Sequence, residues 1–563
     1  MTARARITAI LAAAMMLAAA STHAGTFQLI NNDGAGEGFN DPTPVSPIGG
    51  NDGTTLGQQR LNVFKTAGII WGQTLPDNVT IVVQATFDPL TPCDASSGVL
   101  GSAGAATLAS DFPGALIPNT WYSIALANKL NGSDLAPGTA DIVAQFNSSV
   151  DNSTCLGTTS WYYGYDHNEG TNVDLLAVVL HEMGHGLGFQ TFTNISTGAF
   201  QSGIPDIFAR NLFDRTFGLR WDQMTDTQRQ NSSVNTGQLV WNGAGVKNAA
   251  PRFLGAATIV RIDSPPSVAG EKEFGTASFG PPPPTPAIQA EVVLVDDGVG
   301  TTSDGCEPLQ NAAQLPGKIA LIERGVCSFT FKVAAAQAAG AVAVIIGNNT
   351  SGPPPAMGGT DPSITIPAVS IGIDDLVVIE DELTFGNTVV ATIGGDASRL
   401  AGTDPEGRPR MYAPNPPQPG SSVSHWDTPE TPNLLMEPFI NGDLTGVDLT
   451  QYAFADIGWL GTITAVAEAV APAAPRAFAA PNPFSTSTAI HFSLTRASHA
   501  TIEIYDLRGV PIRRIVTPPL SHGPQSIAWD GRDNHGRAVS SGVYFWRANA
   551  GESSYSGRLV RIR

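Results

Sequence analysis

The chain has 563 residues (58.6 kDa), 42% hydrophobic and 14% charged: enough apolar material for several cores and too little charge for wholesale disorder. Its 30 Lys+Arg against 49 Asp+Glu leave a net charge of −19, which argues against a nucleic-acid partner and disfavours docking on anionic membranes. At about 100–200 residues per domain the length predicts roughly three domains, and 60 Gly with 42 Pro predict many loops and short strands.

Residues 1–24 read as a secretory signal. Arg4 and Arg6 form a basic start, residues 7–20 are apolar except Thr8, and Ala24 closes a small-residue cut site. That run falls short of the ~20 residues of a spanning helix. No later stretch qualifies as a span, because 334–347 is short and 463–474 is broken by Glu468 and Pro472. Four cysteines in an exported chain predict two disulfides. Of the three pairings, sequence proximity favours Cys93–Cys155 and Cys306–Cys327.

Residues 25–51 are rich in Gly, Asn, Asp and Pro and predict irregular chain. A helix is predicted over 55–72, with Leu56, Leu61, Phe64 and Ile69 as its apolar side. Strands are predicted over 79–87, 141–146 and 161–165, the second a candidate edge for an extended peptide. A second helix is predicted over 172–188, capped by Asn172 or Asp174, with Leu175, Leu176, Val179, Leu180 and Leu187 available for burial. These elements make an α/β domain. Composition shifts near 255: apolar runs at 290–295, 318–322, 341–346 and 389–393 alternate with Gly/Pro turns around one helix-like piece, 328–339. That is a self-contained insert. An Ala/Pro tract, 465–480, reads as a linker. Beyond it, short alternating segments (489–494, 500–505, 525–529, 542–548, 555–562) predict an antiparallel β-sandwich.

His181-Glu182-Met183-Gly184-His185 is the most informative stretch. On a helix, positions i and i+4 share a face, so both imidazoles reach one metal about 2.0–2.1 Å from each nitrogen. Glu182 is placed to act on a metal-bound water as general base. A catalytic zinc site takes three protein ligands, so one more is required. His23 leaves with the signal, and His491, His499, His522 and His535 belong to the distal sandwich. His167 and His425 remain. No Glu lies between Glu182 and Glu271, while Asp206 and Asp214 stay open as carboxylate ligands.

With Gly188 three residues after His185, the segment Ser421-Ser422-Val423-Ser424-His425-Trp426-Asp427, and Asn433-Leu434-Leu435-Met436-Glu437-Pro438, the chain resembles the metzincins. These are zinc peptidases with an extended HExxHxxGxx(H/D) motif and a Met-containing turn beneath the metal. Within them it looks most like the leishmanolysin-type group, whose third His is displaced by a long insertion. The resemblance implies His181, His185 and His425 as zinc ligands, Glu182 as base, Met436 as the Met-turn residue, and 452–459 as the final helix. The departure is position 191, the compact third-ligand position, which is Thr191; His425 follows His185 by 240 residues. Closing such a loop costs about 3 kcal/mol, small beside the ~10 kcal/mol of metal binding.

Residues 317–329 (GKIALIERGVCSF) and 340–349 resemble the protease-associated (PA) domain, implying a substrate-access or interaction role without catalysis. No His lies between His185 and His425, so a Ser/Cys–His pair within the insert is unavailable. Pro481-Asn482-Pro483-Phe484, Ile504 with its neighbours through Gly509, Trp529-Asp530-Gly531 and Ser541-Gly542-Val543-Tyr544 resemble FlgD-type and sorting Ig-like modules, implying surface display or secretion.

The expected fold is therefore multidomain α+β: a zincin-like metallopeptidase domain interrupted by an α/β PA domain and followed by an Ig-like β-sandwich. The boundaries are signal peptide 1–24, metallopeptidase 25–254 and 399–462, PA insert 255–398, linker 463–480 and sandwich 481–563. The expected function is that of a secreted or cell-surface zinc metalloendopeptidase, hydrolysing protein or peptide substrates by a zinc-activated water with Glu182 as general base. The alternative is a surface-binding protein with an idle peptidase core. Expected partners are Zn2+, a peptide substrate, and cell-surface or secretion machinery through the last module, with no nucleic acid and no integral membrane span.

Overall fold

The computed structural model describes residues 25–75, 77–440, 444, 446–460, 478–480, 482, 484–494, 498–506, 510–520, 523–550 and 553–561. The predicted signal and most of the Ala/Pro linker lie outside the described residues. Among the described residues no helix is long and apolar enough to cross a membrane.

A four-stranded sheet anchors the first domain. β1 (Phe27–Asn31), β2 (Ile81–Asp88) and the strand Ile142–Asn147 run parallel, and β3 (Gly101–Ala105) lies antiparallel to the last of these at the sheet edge. The strand predicted over 141–146 is therefore internal, flanked by β2 and β3, and is not an edge open to substrate. The edge next to it is β3, whose composition Gly-Ser-Ala-Gly-Ala has neither β-branched residues nor alternation and so gives no strand signal. The predicted strand over 161–165 shrinks to Trp161–Tyr162.

Helix α1 (Leu56–Thr74) starts where the Thr55 side chain accepts the Gln58 N–H. Its buried side matches the predicted one only in part: Phe64 is buried and Leu56 and Leu61 pack against the core. Ile69 is 41% exposed, whereas Gln59, Arg60, Val63, Phe64, Ala67 and Trp71 face the core. Arg60 is tolerated there because its guanidinium bonds Gly38 O and Asp151 and lies over the Phe87 ring. After α2 (Ile124–Asn131), helix α3 (Leu175–Leu187) crosses the same core, with Trp71 Nε1 donating to Leu180 O at 3.0 Å. Residues 411–459 return to this core, whose Met411, Trp426, Leu435, Met436, Phe454 and Trp459 pack with the first segment.

Between the two segments, Ala256–Ser264 pairs antiparallel with Val390–Leu400, bringing Ala256 opposite Leu400. The insert thus leaves and returns at one point, and its length adds little to the entropy of closing the outer domain. Its mixed eight-stranded sheet includes the parallel run Ile288–Leu294, Ile319–Glu323, Ala343–Gly347 and Ala368–Ile371, with apolar clusters on both faces. Besides Phe329–Ala338 it has a second helix, Ile373–Thr384. The sequence reading missed that helix because its acid-rich turns interrupt the apolar pattern. The C-terminal module is a sandwich of a three-stranded and a four-stranded antiparallel sheet over a core that includes Phe484, Trp529 and Trp546. It includes two strands not anticipated, Pro511–Val516 and Phe478–Ala480, the latter at the end of the stretch expected to be linker. The disulfides are Cys93–Cys155 and Cys306–Cys327.

Candidate metal centre

Helix α3 begins at Asp174, whose carboxylate accepts the Leu176 N–H at 2.8 Å, and every residue from Leu175 to Leu187 is buried. Two glycines let so buried a helix sit where it does. A Cβ on Gly186 would lie 2.3 Å from Ile142 Cγ2, and one on Gly184 would lie 2.7 Å from Met436 Sδ. Gly188 (φ +120°) then ends the helix, its N–H returning to His185 O, and turns the chain so that Phe189 O meets His185 Nδ1.

His425 enters from a loop laid across this helix. Tyr412 N–H donates to His425 O at 2.9 Å, Trp426 N–H to Met436 O at 2.8 Å, and Thr191 N–H to Ser424 Oγ at 3.3 Å. Val423, two residues before the histidine, is buried at φ +73°, a region that β-branched residues avoid. Strain of this kind, about 1–3 kcal/mol, persists where surrounding bonds hold it, here Val423 N–H to Tyr412 O.

The three Nε2 atoms form a near-equilateral triangle: His181 to His425 3.1 Å, His181 to His185 3.1 Å, His185 to His425 3.2 Å. Each opposite nitrogen is bound to a backbone carbonyl, His181 Nδ1 to Leu435 O (2.7 Å), His185 Nδ1 to Phe189 O (2.9 Å) and His425 Nδ1 to Ser421 O (2.7 Å). A carbonyl only accepts, so each Nδ1 carries the proton and each Nε2 presents a lone pair. Three lone pairs converging in a buried space repel one another unless a cation lies among them. The triangle's centre is about 1.8 Å from each nitrogen, near the 2.0–2.1 Å of a zinc–imidazole bond. The residues fit a metal ion. Burial keeps the rings neutral, lowering the pKa of His181 to about 4, and burial with the neighbouring His181 lowers His185 to about 3; His425 is held well below its usual value.

Glu182 is buried beside the triangle, and burial pushes its carboxyl up to about 8, opposed by the Ala103 backbone N–H. Gly101 of β3 lies against it; a Cβ there would be 3.1 Å from Glu182 Cγ. Met436 is fully buried under the helix between the two α3 histidines, and the preceding Leu435 supplies the carbonyl that orients His181.

The remaining sequence candidates lie elsewhere. Asp206 accepts from Thr191 Oγ1, Phe192 N–H and Ala209 N–H; Asp214 accepts from Asn235 Nδ2 and Thr216 N–H; His167 pairs with Asp174 at 3.1 Å. Of the groups able to hold a metal among the described residues, one is the triad of histidines and another is Asp297, Asp304 and Glu307 in the insert. The three orienting carbonyls and the β3 edge were invisible in the sequence, since backbone groups carry no residue-type signal.

Residues 288–378 match the family model of the PA domain and residues 483–554 that of the FlgD Ig-like domain. Neither stretch includes His181, Glu182, His185 or His425. The chain is 28% identical over 140 residues to the minor extracellular protease Vpr of Bacillus subtilis (strain 168), a match covering 24% of this chain and 16% of that protein. It is 37% identical over 84 residues to leucine aminopeptidase 2 of Trichophyton rubrum, covering 15% and 16% respectively. Among solved structures, an aminopeptidase from Aneurinibacillus sp. strain AM-1 is similar, with 30% identity, a TM-score of 0.20, and 26% of this chain and 32% of that one covered. The chain thus spans about a sixth of the curated relatives named and a third of the solved structure. The fold that emerges is multidomain α+β, with a PA domain inserted in the first core and an Ig-like domain at the C-terminal end.

Proposed function

We propose that the chain is a secreted zinc-dependent endopeptidase of metzincin type, with residues 25–254 and 399–462 as the peptidase domain, 255–398 as a PA insert, and 481–563 as a sorting or display module. The observation that carries this reading is the convergence of three Nδ1-protonated imidazoles, their Nε2 lone pairs 3.1–3.2 Å apart, beside a buried carboxyl. His181, His185 and His425 would hold Zn2+, which supplies Lewis-acid polarisation of a carbonyl and a readily deprotonated water. Glu182, whose ionised form a cation held by the three histidines would favour, could then accept a proton and pass it to the leaving amine. Met436 and Leu435 support the floor of the site and fix the His181 ring. The likeness to proteases and aminopeptidases over domain-sized stretches agrees with peptide-bond hydrolysis, and the name of one relative agrees with export.

The position of β3 supports cleavage within a chain. Leu100 O and Ala106 N–H pair toward the strand Ile142–Asn147, so Gly101, Ala103 and Ala105 turn their backbone groups outward. A substrate strand paired there extends past Ala103, and hence past Glu182, in both directions. The test is incubation of the mature chain with casein, with fragments read by mass spectrometry. Internal cleavage that phenanthroline abolishes and added Zn2+ restores is the expected result. Release of single N-terminal residues would convert the reading to an aminopeptidase, and no hydrolysis by the zinc-loaded chain would overturn it.

A further inference from the structure

The whole-chain charge conceals a division. Residues 478–563 contain ten Arg, no Lys and five acidic residues, whereas residues 1–477 contain 20 basic and 44 acidic ones. A cationic module therefore rides on a strongly acidic body, and its only cations are guanidinium groups.

The arginines are not evenly spread. In the four-stranded sheet of the module, strand register places Arg514, Glu503, Arg547 and Ser556 in one cross-strand row, and Tyr505, Phe545 and Arg558 in the next. Alternation puts these side chains on the outer face, because Ile502, Ile504, Trp546 and Ala548 fill the core on the other. Phe545 is 40% exposed, an uneconomical place for a phenyl ring unless something covers it. Between the rows lies a surface depression of about 380 Å³, lined by Tyr505, Phe545, Arg547, Ser556 and Arg558, with backbone of Trp546 and Gly557 completing it. Gly557 is required there, since a Cβ would come within 2.7 Å of the Trp546 indole packed beneath it.

The charges on this face are unequally satisfied. Glu503 accepts from Tyr505 OH at 2.8 Å and lies 3.7 Å from Arg514. Arg547 forms no ion pair among the described residues, and Arg558 donates only to a neutral carbonyl, Gln73 O at 3.3 Å. Two guanidinium groups with no ion pair among the described residues thus flank two aromatic rings around one depression.

We propose that this face binds an acidic polysaccharide, uronate carboxylates meeting the forks of Arg547 and Arg558 while sugar rings lie against Tyr505 and Phe545. Planar guanidinium matches a carboxylate two-pronged, which lysine does not, and the absence of lysine fits recognition of shape above a diffuse surface potential. A sheet face with a shallow depression suits an extended polymer, and the acidic body would be held off an anionic matrix by its own charge. This assignment does not depend on the peptidase reading.

The test is titration of the full mature chain with polygalacturonate, with neutral dextran and with phosphatidylglycerol vesicles as comparisons. Polygalacturonate should bind, weaken steeply between about 50 and 200 mM salt, and outcompete dextran. Arg547→Ala with Arg558→Ala should weaken it at least about 10-fold and Phe545→Ala several-fold, at an unchanged melting temperature. Binding unchanged in the double Arg variant, absent at 50 mM salt, or seen with the vesicles and not with polygalacturonate would overturn the proposal.

Discussion

Helix α3 can approach the sheet only because position 186 lacks a side chain, and Gly186→Ala measures that closeness. The new methyl would stand 2.3 Å from Ile142 Cγ2 and 2.8 Å from both Cγ1 and Cδ1, all on a buried strand in the middle of the sheet. Overpacking of this kind costs about 1–3 kcal/mol, against about 1 kcal/mol gained from the better helix propensity of alanine. The net loss should be up to about 2 kcal/mol in the calorimetric transition of the first domain. Ile142→Ala alone should cost about 2–5 kcal/mol through its cavity. Combined, the two should be less damaging than their sum by about 1–3 kcal/mol, because the added methyl enters space that the isoleucine vacated. A cycle additive within about 0.5 kcal/mol would mean that the helix does not pack on the strand as described.

Further consequences are measurable separately. Glu182→Gln should retain stoichiometric zinc while casein hydrolysis falls by at least about 10²–10⁴-fold; residual activity near wild type would remove Glu182 from the chemistry. Ala105→Pro leaves the ladder to the neighbouring strand intact and deletes an outward donor on β3, so KM for a long peptide should rise several-fold at little cost in stability. An unchanged KM would place substrate elsewhere. Replacing Cys93–Cys155 by alanines should cost about 4 kcal/mol and Cys306–Cys327 about 3 kcal/mol, from bridges spanning 62 and 21 residues respectively, read as losses in separate thermal transitions. Equal small effects would show that the loops are already ordered without their bridges.

Sequence legibility followed where side chains carry the signal. The HExxH stretch, a helix start at Asn172 or Asp174, the insert and five of the sandwich strands were readable because residue type and period reveal them. The third histidine was readable only through resemblance, since nothing local to His425 points 240 residues back to α3. What escaped was set by the backbone or by tertiary packing. β3 is built from glycine, alanine and serine, yet it forms the edge beside Glu182. The apolar side of α1 was legible in Leu56, Leu61 and Phe64 and missed elsewhere, because Arg60 and Gln59 are buried through specific hydrogen bonds while Ile69 stays exposed. The inner position of the strand Ile142–Asn147 depends on β3, which the sequence did not announce.

Metal content of the chain and of its His425→Ala variant, measured by mass spectrometry on folded protein purified without chelator, tests the three-histidine centre most directly. One zinc per wild-type chain, lost or exchanging freely once His425 is removed, is the predicted pair of values. Full, tightly held zinc in the His425→Ala protein would contradict the assignment of that histidine and the site built around it.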